Sequence, residues 1–348
     1  MIKILHTADW HLGAPLQGYG DDLRRALAEI PGKIWEVLRQ EKCDIVLLAG
    51  DVFDGAYTPY TYQTVYDVLQ AMGVPVFITP GNHDFSSPDS PWNKELWPKN
   101  VHIFRSQEIT SVPLPELNCR IYGAGFAGMD CPSLLENFRA ECDEKYAIGI
   151  FHGDTTQLNS TYNPITKAQV QDSNLDYLAL GHIHKGDSFT AGKTLCAWPG
   201  CPMGRGYDET GEKGVYIVTL DDQVSIHFRP LNTPRFYDLQ AAPQDLDSIL
   251  PPVGSDDYYR VTLVGTCEEP NLDTLKCTYS RFPNLELRDR TTRPVDVWGN
   301  SGEDSFEGVY FGLLKQAYDS AEGADKEEIY LAAEISRRLM EGQEVVLP

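Results

Sequence analysis

The 348-residue chain carries a formal net charge of −22, with 42% hydrophobic and 23% charged residues. That is the balance of an ordinary soluble globular protein with room for two or three domains; the sequence has no unbroken run of roughly 18 apolar residues, which argues against a transmembrane helix. So acidic a chain is a poor generic binder of polyanions, because phosphate contacts need Lys and Arg to release counterions. A nucleic-acid substrate would therefore require metal ions, a local basic strip or a partner.

Met1 leads straight into IKILHTADWH, without the apolar core and cleavage site of a signal peptide. Residues 2–6 read as a first strand. Residues 21–41 place Leu23, Ala26, Leu27, Ile30, Ile34 and Leu38 at helical spacing, with a kink or break expected at Pro31-Gly32. Further strands are expected over 45–49, 74–79, 101–104, 119–123, 146–151 and 176–180, each entering a Gly, Asp or His turn, with a helix over 60–72. This alternation predicts an α/β domain. From 189 to 231 the pattern is purely β (GVYIVTL, VSIHFRPL), so the first domain is expected to span 1–232.

A boundary is expected near PLNTPRFYDLQ, followed by a small α/β unit over 236–298, with strands 258–266 and 285–292 around a helical 271–282. Two amphipathic helices are expected within 303–348. Phe306, Val309, Tyr310, Leu313, Leu314 and Ala317 share a face of the first. Asp325 and Glu328 read as a capping box opening the second, which carries Ile329, Ala332, Ala333 and Leu339. The eight cysteines are scattered, with no CxxC, and are expected to be reduced, mostly buried thiols of a cytosolic protein.

The chemistry gathers at strand ends. LALGHIHKG sets His182 and His184 two apart, on one face of an extended chain. TADWHLG does the same for Asp9 and His11. LLAGDVFD supplies Asp51, ITPGNHDF supplies Asn82, His83 and Asp84, and GIFHGD supplies His152. Ligand sites of open α/β sheets form at the carboxyl ends of strands, and glycine there permits tight turns. Each motif alone is weak, but five in order make a metal site the expected reading. Carboxylates, an amide and imidazoles without thiolate suit Mn²⁺ or Fe²⁺, with Zn²⁺ as an alternative. Seven ligands suit two ions sharing a carboxylate, roughly 3.5–4 Å apart, an arrangement made for phosphoester hydrolysis.

The blocks DxH, GDxxD, GNHD, HG and GHIH, in this order over residues 1 to about 230, resemble the calcineurin-like metallophosphoesterases. ILHTADWHLG, LAGDVFD and PGNHD are similar, more narrowly, to the SbcD-type and YhaO-type DNA-repair exonucleases of bacteria. The resemblance implies two β-sheets flanked by helices, a small capping domain carrying YYRVTLVG and LELRDRT, and C-terminal helices that bind an SbcC-like coiled-coil ATPase. It assigns Asp9, His11, Asp51 and His184 to one ion, and Asp51, Asn82, His152 and His182 to the other. His83 is then the general acid or transition-state stabiliser, and Asp54 the carboxylate that orients it and favours its charged form. Asp84 is expected to be a turn or capping carboxylate.

His6, inside the first strand, reads as a buried structural histidine. Arg205 is either a surface ion pair or a phosphate contact. Arg281, Arg288, Arg290 and Arg293 form a basic strip in an acidic region, either a solvated face or a set of DNA backbone contacts. The function these readings imply is a cytoplasmic two-metal phosphodiesterase on DNA ends, exonuclease or endonuclease, with homodimerisation left open. The alternatives are a calcineurin-like enzyme on a small phosphodiester or phosphoprotein, and a non-catalytic scaffold.

Overall fold

A computed structural model describes the chain except Leu158, Glu269, Gln343, Glu344 and residues 346–348. The chain forms two compact units, residues 1–238 with 256–259, and residues 239–255 with 260–348. Among the described residues the first unit holds the strands β1 (Ile2–Thr7), β2 (Ile45–Ala49), β3 (Val76–Thr79), β4 (Val101–Ile103), β5 (Thr110–Leu114), β6 (Cys119–Gly123), β7 (Tyr146–His152), β8 (Tyr177–Gly181), β9 (Lys185–Ala191), β10 (Thr194–Gly200), β11 (Gly214–Leu220) and β12 (Val224–Pro230). They make two six-stranded sheets, ordered β12–β11–β1–β2–β3–β4 and β5–β6–β7–β8–β10–β9. Strands β1 to β4 run parallel, as do β6, β7, β8 and β10.

Period-two alternation decides which side chains each face buries. Ile45, Leu47 and Ala49 of β2 face Ile148 and Ile150 of β7 and Tyr177 and Ala179 of β8, closing a core between the sheets. Val46 and Leu48 turn the other way, onto Leu23, Leu27, Ile34, Leu38, Val65 and Leu69 of the helices Asp21–Ala28, Ile30–Glu41 and Pro59–Met72. On the far side, Phe151, Leu178 and Leu180 pack on Val170 of the helix Lys167–Asp172 and on Leu175. Each such fully buried Ile, Leu or Phe contributes roughly 1.5–3 kcal/mol relative to exposure. The result is the α/β architecture of two sheets flanked by helices, and it fixes the carboxyl ends of β1, β2, β3, β7 and β8 as neighbours.

The break expected at Pro31 is real: helices end at Ala28 and restart at Ile30, with Pro31 in the first turn, where its missing N–H costs nothing. Strand β5 escaped the sequence reading because it is a half-exposed edge strand with Pro113 inside it.

Beyond β12, a three-stranded sheet is formed by β13 (Phe236–Ala241), β14 (Tyr258–Leu263) and β15 (Leu285–Asp289), in that order, beside a helix Leu272–Thr278. Helices Phe306–Ser320 and Gly323–Met340 follow. Their shared core is small: Val297, Phe311 and Ala333, with Tyr310 and Leu314 against it. Phe311, absent from the expected stripe, is its centre, whereas Phe306, Val309 and Leu313 are exposed. The capping box also needs correction. The last helix begins at Gly323 after Glu322, whose side chain makes no cap hydrogen bond, so Asp325 lies within the first turn, where its charge suits the helix dipole.

Candidate metal centre

Backbone geometry at the strand ends is unusual before any side chain is considered. Asp9, His11, Asp51 and His182 all have positive φ, at 54°, 47°, 53° and 93°. Non-glycine residues are held in such conformations, at roughly 1–3 kcal/mol each, only where surrounding structure enforces them. Here the loops zip together: the N–H groups of Asp9, His11 and Leu12 donate to the carbonyls of Gly50, Asp51 and Val52. Two glycines make the close approach possible. A Cβ on Gly50 would stand 2.3 Å from the His152 ring, and one on Gly81 2.1 Å from the Asp51 carboxylate.

The side chains converge. Asp9, His11 and His184 form one group whose ligand atoms all lie within 4.8 Å of one another, and Asp9, Asp51 and His152 form a second. Asp51 Oδ2 is 3.7 Å from His11 Nε2 and 3.4 Å from His152 Nε2, so one carboxylate faces both histidines. Asn82 Oδ1 lies 3.0 Å from His152 Nε2 and 3.1 Å from His182 Nδ1. All seven residues expected as ligands are therefore brought together.

Whether they fit cations is decided by where the protons are. His11 Nδ1 is 3.0 Å from Asp54 Oδ1, and His184 Nδ1 is 2.7 Å from Glu209 Oε1 with Arg205 Nη2 at 3.0 Å; the carboxylate, at the shorter distance, makes each Nδ1 a donor. Their Nε2 atoms face each other at 3.2 Å. Likewise His152 donates Nδ1–H to the Ala49 carbonyl at 2.9 Å, which leaves its Nε2 facing only oxygen acceptors. Lone pairs opposed in this way need positive charge between them, as a proton or a metal ion. The field is consistent with that demand. Burial disfavours charge on His152, but the Asp51 carboxylate prevails and carries its pKa up to about 9. Burial also works against the Asp51 carboxylate, yet His152 holds its pKa well below the usual range.

His83 stands apart. Its side chain is 45% exposed, and its Nδ1 lies 3.0 Å from Asp54 Oδ1, a hydrogen bond that raises its pKa. It also forms a group with His11 and Asp51. Asp54 thus accepts from His11 and His83 together, and those two bonds hold its own pKa well down. Asp84 is buried and accepts from the N–H groups of Val52, Phe53 and Gly81, tying the Asp51 loop to the His83 loop. Burial, with Asp51 nearby, pushes its pKa up to about 7. His6 is fully buried between Tyr177 Oη and the Leu180 carbonyl, at 2.7 and 3.0 Å, and burial drops its pKa to about 3.

The calcineurin-like phosphoesterase family model matches residues 2–186, more than half of the chain. The chain belongs to that family. Among curated relatives of this calcineurin-like phosphoesterase, the uncharacterized metallophosphoesterase YhaO of Bacillus subtilis is 28% identical, covering 93% of this chain and 88% of its own length. The SbcD component of the nuclease SbcCD of Bacillus subtilis is 25% identical over 62% of this chain and 66% of that protein. A dimetal phosphatase from Danio rerio, among solved structures, aligns with a TM-score of 0.47 at 14% identity, over 66% of this chain and 96% of that one.

Two residues extend the site beyond the motifs. Arg205 faces the surroundings of the Asp/His cluster rather than open solvent. Its backbone N–H and Nη2 donate to Glu209 at 2.8 and 2.7 Å, and its Nη1 is 3.9 Å from Asp54. Glu209 itself was not singled out in the sequence, where it is one of several acids in GRGYDETGEKG. The available signal was its place in the same Gly-rich loop as Arg205. The basic strip is elsewhere: Arg288, Arg290 and Arg293 are exposed in the second unit, and Arg288 Nε is paired with Glu286 at 2.6 Å. Among the described residues no helix is long and apolar enough to cross a membrane.

Proposed function

We propose that this calcineurin-like phosphoesterase is a two-metal phosphodiesterase acting on DNA ends in the cytoplasm, as exonuclease or endonuclease in DNA repair. The observation that carries the reading is the opposition of imidazole lone pairs and carboxylates at the strand ends, beside a half-exposed histidine on its own carboxylate. Asp9, His11, Asp51 and His184 would hold one divalent cation and Asp51, Asn82, His152 and His182 the other. The oxygen and nitrogen donor set favours Mn²⁺, with Fe²⁺ or Zn²⁺ as alternatives. Bound there, the ions would supply Lewis-acid stabilisation of the phosphoryl charge and acidify the attacking water.

The chain's own residues do the rest. With Nδ1 held by Asp54, His83 presents its other ring nitrogen to the leaving oxygen and gives it a proton. Asp54 keeps that ring charged. Arg205, through Nη1, is the candidate phosphate contact within the first unit. Residues 236–298 serve as the capping domain, where Arg288, Arg290 and Arg293 contact the DNA backbone, and residues 303–348 bind the coiled-coil ATPase. DNA as substrate is supported by the likeness to the SbcD component of the nuclease SbcCD. The net charge of −22 motivates the second reading, a small phosphodiester or phosphoprotein substrate. Comparing Mn²⁺-dependent hydrolysis of double- and single-stranded DNA with that of nucleotides and phosphopeptides decides between them. Preferential loss of DNA ends supports the first; turnover confined to the small substrates overturns it.

A further inference from the structure

The histidines of the two proposed cation positions are braced differently. In the position built on Asp9, His11, Asp51 and His184, both imidazoles lean on an anion: His11 on Asp54 at 3.0 Å and His184 on Glu209 at 2.7 Å. In the position built on Asp51, Asn82, His152 and His182, the His152 brace is a neutral backbone carbonyl at 2.9 Å, with the Asp9 carboxylate farther off at 4.0 Å, and Asn82 contributes an uncharged amide oxygen. A carboxylate behind an imidazole fixes its tautomer and ring angle and makes it a stronger donor. Buried charges also act at short range with little screening by salt.

Glu209 is placed to do this with little freedom of its own. It is 7% exposed. Oε1 accepts from His184 Nδ1 and from Arg205 Nη2, both at 2.7 Å, and Oε2 accepts from the Arg205 backbone N–H at 2.8 Å and from Nε at 3.3 Å. Its own N–H donates to the Gly206 carbonyl at 3.0 Å, closing a tight turn. Gly204 lets the loop pass beneath, since a Cβ there would stand 2.6 Å from the Glu209 carbonyl oxygen. The guanidinium that clamps Glu209 also stands 3.9 Å from Asp54, so a single cation links the braces of both histidines.

We propose that Glu209, clamped by Arg205, is the positioning residue that makes the Asp9/His11/Asp51/His184 position the first of the two to take a divalent cation. This rests on the two-metal reading but not on the identity of the substrate. The test is calorimetric titration of the full-length, chelator-stripped protein with MnCl₂, for the wild type, Glu209→Gln and Glu209→Asp. The wild type should bind in two resolved steps. Glu209→Gln keeps the shape and removes the charge, and should weaken the tighter step roughly 10–100-fold while moving the looser one little. Glu209→Asp, which retains the charge on a shorter arm, should recover part of the loss, and it decides the matter if the Gln variant does not fold. Equal weakening of both steps, no weakening of either, or two indistinguishable steps in the wild type would overturn the proposal. A wild type that takes up no Mn²⁺ would instead overturn the two-metal reading itself.

Discussion

The strand-end cluster of the first unit and the helix pair of the second are built on opposite principles. Around the cluster, Asp9, His11, Asp51 and His152 are at most 1% exposed, and their side chains are committed to partners. The last two helices share only Val297, Phe311 and Ala333 as a buried core, while Phe306, Val309 and Leu313 face outward at 77%, 57% and 62% exposure. Rigid burial suits chemistry, where sub-ångström placement matters. A thin core with exposed apolar groups suits recognition, where the surface finds its complement in another molecule. If this division is correct, substitutions in the first region should change turnover of any phosphodiester, and changes in the second should change only which large substrate or partner is engaged.

The largest effect is expected from Asp51→Asn. An amide cannot neutralise two cations as a shared carboxylate does, so hydrolysis of bis(p-nitrophenyl) phosphate should fall to background. Full activity in that variant, purified free of contaminating nuclease, would break the bridging assignment.

His83→Ala should retain Mn²⁺ but lose roughly 10²–10⁴-fold in turnover of DNA, and less on a nitrophenyl ester, whose leaving group needs no proton. Its partner gives a pH test. The hydrogen bond from His83 to Asp54 raises the His83 pKa, so the ring is a proton donor below that raised value and is lost as pH rises through it. Asp54→Asn removes the support, and the alkaline limb of the DNA profile should move to lower pH. A limb that stays in place would separate Asp54 from His83.

The smallest effect on the small substrate is expected from the second unit. Removing residues 303–348 should leave nitrophenyl-ester hydrolysis intact and abolish capture of the ATPase partner. Reversing Arg288, Arg290 and Arg293 to Glu should weaken DNA degradation alone. Loss of small-substrate turnover in either protein would erase the distinction between the regions.

The same contrast explains what was legible in the sequence. The parallel strands β2, β7 and β8 are almost wholly apolar on both faces and, like β1, run into turns of recognisable motif, so their positions and the side chains gathered at their ends could be read from pattern and motif together. Glu209 could not, because its partner His184 lies 25 residues away and nothing local distinguishes it from Asp208 or Glu212. The double duty of Asp54 was hidden for the same reason, since its second partner, His11, is 43 residues distant. In the terminal helices the amphipathic pattern predicted helices but not which face is buried. Phe311 rather than Phe306 turns inward, because the choice is made by Val297 and Ala333, which periodicity within one helix cannot see.

Anomalous diffraction from crystals soaked in Mn²⁺ tests the central claim most directly. Two peaks are expected, one among Asp9, His11, Asp51 and His184 and one among Asp51, Asn82, His152 and His182, with the Asp51 carboxylate touching both. A single isolated peak, or a pair that leaves Asp51 uncoordinated, would contradict a two-metal phosphodiesterase built on these strand ends.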